Sequence, residues 1–127
     1  MPQFTESVVE DASLLWLQGL GYAVLHGPEI AAGAPGAERS DASYCDVLLE
    51  ERLRNALRRL NRELPLEAVE DAYRKLLRVD APSLLVRTRV VQRMLVGGVA
   101  VEYRRKDGSV AGAQVRVIDF EAPERND

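Results

Sequence analysis

A mixed helix-and-strand fold, α/β of the segregated α+β kind, is predicted by three observations. Apolar residues recur at helical spacing over much of the stretch up to Val96, the period switches to two after Gly97-Gly98, and one turn signal, Lys106-Asp107-Gly108-Ser109, divides the alternating stretch. The 127 residues suffice for a single domain or part of one, at a typical ~100–200 residues per domain.

The first helix is expected from Phe4 to Gly21. Thr5 suits the N-cap, Phe4 and Val9 can close a hydrophobic staple, and Val8, Ala12, Leu15 and Trp16 recur at helical spacing before Gly19 and Gly21 stop the run. Tyr22 to His26 is short, apolar and partly β-branched, which predicts a strand and closes a first segment, 4–26. Gly27, Pro28, Gly33, Pro35 and Gly36 then punctuate a loop over 27–43.

A helical segment follows over 44–96. Its first helix carries the stripe Leu49, Leu53, Ala56, Leu57 and Leu60, and Pro65 suits the first turn of a second, in which Leu66, Val69, Tyr73, Leu76 and Leu77 are expected to face inward. Pro82 or Ser83 opens a third, which ends at Gly97-Gly98. Val99, Val101 and Tyr103 alternate, as do Val115 and Val117 beyond the turn, predicting a β-hairpin over 98–120 and an acidic tail over 121–127.

Composition excludes several classes of function. With 46% hydrophobic and 29% charged residues the chain has the make-up of a globular protein rather than a disordered one. No apolar run approaches the ~18 residues of a membrane span, and Glu6, Glu10 and Asp11 stand where a signal peptide needs a basic start, so the expected compartment is the cytoplasm. Cys45 is the lone cysteine, which rules out an internal disulfide or a cysteine zinc site, and it reads as a small helix-entry residue. His26, beside Gly27-Pro28, reads as a strand-end residue with no catalytic partner placed by the sequence. Neither glycine-rich phosphate-binding signature is present, so no nucleotide cofactor is expected within these residues.

Charge is distributed unevenly. The first 51 residues hold nine acidic side chains against one arginine, whereas 52–116 hold fifteen basic against seven acidic. Arg52, Arg58, Arg59 and Arg62 fall on or near the side of their helix opposite its apolar stripe. They are candidate contacts for DNA or an acidic partner, or else the solvated outer face of a helix. Glu6 and Glu10, four apart on one helical face, can serve a hard cation such as magnesium with further acidic ligands, or simply complement the helix dipole.

The segment Phe4-Thr5-Glu6-Ser7-Val8-Val9-Glu10, leading to Gly19-Leu20-Gly21-Tyr22 and His26-Gly27-Pro28, resembles the start of the restriction (R) subunit of type I restriction-modification enzymes. The likeness continues through Tyr44 to Leu53, Ala56-Leu57, Leu60-Asn61, Leu64-Pro65 and Gly98-Val99-Ala100-Val101-Glu102-Tyr103-Arg104-Arg105. Asp107-Gly108, Val115-Arg116-Val117-Ile118-Asp119-Phe120, Pro123-Glu124 and Asn126-Asp127 complete it. The resemblance implies the beginning of a PD-(D/E)XK-type nuclease domain with a helical insertion. In the whole subunit that domain precedes an ATP-driven motor on double-stranded DNA, which works with methyltransferase (M) and specificity (S) subunits and uses Mg2+ and ATP. It also implies that Glu10, with Glu6 as the second candidate, is a metal ligand on the first helix. The family's Asp and Glu-x-Lys are expected beyond Asn126-Asp127, and no Glu-x-Lys occurs in these residues, so this stretch alone is expected to be an inactive fragment. The alternative is a stand-alone protein-interaction or weak DNA-binding module that docks through the arginine-rich helices.

Overall fold

A computed structural model describes residues 4–126, and the chain divides into two compact units, Met1–Asp46 and Val47–Asp127. In the first, helix α1 spans Glu6–Gly19. Thr5 stands at the N-cap with extended backbone, but its Oγ1 lies 3.0 Å from Ser7 Oγ and caps no helical N–H. The other end is a Schellman turn, in which the Gly21 N–H donates to the Gln18 carbonyl at 2.9 Å and the Tyr22 N–H to that of Leu17 at 3.1 Å. Gly21 has φ +95°, a conformation that costs glycine little and side-chain-bearing residues more.

The strand expected at Tyr22–His26 does not form. These residues pair with no neighbour, since the sheet among the described residues consists of two strands further along, and an apolar segment becomes a strand only when its backbone groups find a partner. Within the expected loop, Pro28 opens a one-turn helix α2, Gly27–Ile30. The end of the unit is held by polar contacts: the Asp46 N–H donates to Asp41 Oδ2 at 3.0 Å, and Arg39 lies over the Tyr44 ring at 5.1 Å. No described residue of this unit is buried, and Trp16 of the apolar stripe is 78% exposed.

The second unit has a core. Helix α3 spans Glu50–Leu60, α4 Leu66–Leu77 and α5 Leu84–Gly97, and a hairpin pairs β1, Val99–Arg104, with β2, Val110–Val115. The strands are antiparallel, with Val99 opposite Val115 and Arg104 opposite Val110. Helix α4 touches both α3 and the hairpin, and Leu57, Ala68, Val69, Ala72, Tyr73, Val99, Val101 and Val115 form the core. Burying such aliphatic side chains stabilises by about 1.5–3 kcal/mol each before the ordering entropy is set against it. Leu66 and Leu77, expected to face inward, are exposed instead. The inward stripe of α4 is centred closer to Ala68 and Ala72, whose small side chains let the helix backbone approach its neighbours.

Ser83 caps α5 by accepting the Val86 N–H at 3.3 Å, and Gly98 follows with φ +84°. A Cβ at Gly98 would stand 2.9 Å from the Val115 carbonyl oxygen, so both the backbone angle and the approach of β2 demand glycine there.

The hairpin ends earlier than expected, at Val115 rather than residue 120. Beyond it the backbone is claimed by side chains. Asn61, 2% exposed, donates through Nδ2 to the carbonyls of Leu57 and Arg116, each at 2.8 Å, and its Oδ1 accepts the Arg116 N–H at 2.7 Å. Asp119, also 2% exposed, accepts the N–H groups of Glu121 and Ala122 and the Arg116 guanidinium, while Asn126 clasps the Asp119 backbone. The acidic tail therefore takes an ordered path through a 3-10 turn, Pro123–Arg125.

The hydrogen bond from the Ala122 N–H holds the Asp119 carboxyl below its ordinary value of 3.8, with the Glu121 N–H and Arg116 acting the same way against the cost of burial. A depressed folded pKa contributes stability that is complete above the ordinary value and lost as pH falls through the lower folded one. Wild type should therefore lose stability on acidification below about pH 4 more steeply than Asp119→Asn. Chemical denaturation from pH 7 to pH 2 measures this, and parallel profiles would show that Asp119 is not ionised in the folded unit.

Candidate functional site

Three sets of polar side chains could carry function. On α1, Glu6 and Glu10 are both exposed, and one helical turn apart their Cβ atoms are about 5–6 Å from each other. Among the described residues no group of three or more His, Cys, Asp or Glu side chains converges as a metal site would require. Two carboxylates fall short of the oxygen set that magnesium takes, so these residues do not complete a metal centre by themselves.

Of the arginines of α3, Arg52, Arg58 and Arg59 are exposed and Arg54 is half-buried, and they do not form one row. Arg58 Nη2 is bound to Glu70 Oε1 at 2.9 Å, and Arg54, which stacks on the Tyr73 ring at 4.2 Å, reaches the same carboxylate at 3.4 Å. Glu70 thus takes up much of the charge of the helix face it meets. Arg59 turns the other way, donating from Nε to the Arg125 carbonyl at 3.2 Å, and lies with Arg62 near the tail. Arg52 is exposed on the first turns of α3.

The third set lies along the hairpin. Lys75 donates to the Ala100 carbonyl at 2.8 Å and pairs with Asp71 at 3.0 Å, and this pair borders an open hollow lined also by Glu102, Gly112 and Gln114. The Lys75 hydrogen bond holds the Asp71 carboxyl below its ordinary value. Asp71 and Lys75 are already satisfied by each other and by the Ala100 carbonyl, which suits a structural role better than acid–base chemistry.

Sequence reasoning missed Arg125, Asn61 and Asp119 as organising residues. The only local sign was polar side chains set among apolar ones, at Leu60-Asn61 and Ile118-Asp119-Phe120.

The architecture is of α+β type, helices together with a two-stranded antiparallel sheet, and comparison with known proteins supplies the class. The family model described as the type I restriction enzyme R protein N terminus matches residues 3–127, and the chain belongs to this family. It is 34% identical over 116 residues to the type I restriction enzyme HindI endonuclease subunit of Haemophilus influenzae, covering 91% of this chain and 11% of the relative. It is 31% identical over 120 residues to a Methanocaldococcus jannaschii protein described as the type I restriction enzyme MjaIXP endonuclease subunit, covering 94% of this chain and 11% of that relative. No solved structure matches the chain. Among the described residues no helix is long and apolar enough to cross a membrane.

Proposed function

We propose that these residues serve as the N-terminal part of an R subunit whose whole polypeptide is an ATP-dependent, DNA-translocating endonuclease. The single observation that carries this reading is the family match over residues 3–127, with relatives of which the matched region is 11%. In this reading the chain begins a PD-(D/E)XK nuclease domain. Double-stranded DNA is its substrate, M and S subunits are its partners, Mg2+ and ATP are cofactors of the complete protein, and the cytoplasm is its compartment.

Glu10, or failing it Glu6, supplies one carboxylate to a metal site whose other ligands come from residues outside this chain. The isolated chain is inactive, because it holds neither the Glu-x-Lys nor a phosphate-binding loop. The exposed apolar stripe of α1 supports the same reading, since a helix that buries nothing against its own unit is suited to pack on additional strands.

Reading the gene downstream of the Asp127 codon is the first test. An Asp followed by Glu-x-Lys and then a phosphate-binding loop is expected. The complete protein, reconstituted with M and S subunits, should then cut duplex DNA only with both Mg2+ and ATP. Cleavage that survives chelation of the metal, or a gene that lacks those motifs, rejects the proposal.

A further inference from the structure

We propose that Arg59, Arg62 and Arg125 form a binding site for a phosphate oxyanion. Arg59 stands in the last turn of α3, Arg62 just past the helix, and Arg125 in the 3-10 turn 66 positions beyond Arg59. Together with Glu124 they line one cavity of about 430 Å3. Among the described residues, three guanidinium groups and one carboxylate line it, a positive balance.

Each arginine keeps donors to offer. The Nε of Arg59 is fixed on the Arg125 carbonyl at 3.2 Å, which orients its planar fork and leaves the two terminal amino groups. Arg62 has no hydrogen bond or ion pair among the described residues, and no ion pair joins Glu124 to any of the three. Arg125 reaches toward Asp119 only at 3.8 Å, and that carboxylate is already served by two backbone N–H groups and Arg116.

A helix C-terminus favours basic side chains, which explains Arg58 and Arg59 without any ligand. It does not explain Arg62, which lies outside the helix, or Arg125, which comes from another element. Three guanidinium forks lining one cavity offer more donors than one carboxylate can accept, and their planar geometry suits the several oxygens of a phosphate group. The cavity is roomy enough for a phosphate that remains attached to a larger body. Either the phosphodiester of duplex DNA or a free phosphate provides that chemistry. The site rests on the charges alone and does not depend on the restriction reading.

The test uses the 127-residue chain with inorganic phosphate in a calorimetric titration, repeated in competition with a short duplex DNA. Saturable phosphate binding is expected, weakened about tenfold by Arg62→Gln and again by Arg125→Gln, the loss that follows from one charge-assisted contact. Arg105→Gln, at the hairpin turn, should leave it unchanged. Arg62 makes no hydrogen bond or ion pair among the described residues, so its replacement should leave the fold intact, and thermal melting of each variant checks that.

If duplex DNA displaces phosphate and Arg62→Gln lowers the salt slope of duplex binding by about 0.9, the natural occupant is a DNA phosphodiester. If phosphate binds and duplex does not displace it, the site takes a free phosphate or a small phosphorylated molecule. Phosphate that fails to saturate, or that binds wild type and both variants equally, overturns the proposal. Because the readout is phosphate binding rather than cleavage, it stands or falls separately from nuclease activity of the longer protein.

Discussion

Asn61→Ala is expected to destabilise the Val47–Asp127 unit by about 2–4 kcal/mol, because it strands the buried Leu57 carbonyl together with the half-buried backbone N–H and carbonyl of Arg116. A unit of this size has only about 4–12 kcal/mol of stability in all. The melting temperature should fall by more than about 8 °C, and the urea midpoint should fall in step. Loss of the clamp also frees the chain after β2, so the path of Asp119 to Asn126 loosens with it. Asn61→Asp keeps the acceptor but removes both donations and introduces a buried charge, and it should be no milder. A change below about 0.5 kcal/mol, the size ordinary for a surface substitution, would mean that the Asn61 side chain is solvated instead.

Glu10→Gln in the complete R protein should lower metal-dependent DNA cleavage by about two to three orders of magnitude, the scale on which a single electrostatic contact to the reacting centre acts. The amide preserves size and helix propensity but removes the negative charge that a hard cation requires. Folding should change by less than about 1 kcal/mol, the most that an exposed carboxylate near the start of a helix usually contributes through the dipole. Glu6→Gln, one turn earlier on the same face, is the comparison. Cleavage that persists in Glu10→Gln and vanishes in Glu6→Gln transfers the role to Glu6. Persistence in both leaves the pair as dipole partners. Phosphate titration of the same variants should match wild type, since neither carboxylate lines the arginine cavity.

What could be read from the sequence follows the range of the forces involved. The helices α3, α4 and α5 and the hairpin are encoded by short-range periodicity and by Pro65, Ser83 and Gly108, each acting within a turn of its own position. Tyr22–His26 misled because apolar character and β-branching describe a segment willing to pair, whereas pairing depends on a partner. Leu66 and Leu77 misled because the inward stripe was drawn through the large apolar residues, while the buried face of α4 is centred on Ala68 and Ala72. Asn61 meets Arg116 across 55 positions and Arg59 meets Arg125 across 66, distances at which no local pattern speaks. The division of the α3 arginines between Glu70 and the tail was hidden for the same reason, since it depends on which helix lies opposite.

The Lys75–Ala100 contact makes enlargement of the sheet one-sided. The Arg105 N–H donates to the Ser109 carbonyl, and this fixes the phase of the ladder: Val99, Val101 and Tyr103 point their backbone groups toward β2, and Ala100 and Glu102 point theirs away. A strand arriving beside β1 would find the first outward carbonyl occupied by an ammonium group and would have to desolvate that charge. Beside β2 the outward groups of Val110, Gly112 and Gln114 meet no hydrogen-bonding partner among the described residues. Any third strand, whether from the same polypeptide or from another copy at high concentration, is therefore directed to the β2 side, and a sheet growing from this hairpin cannot propagate as a symmetric stack. The lysine blunts the β1 edge in the way that charged side chains guard exposed strands.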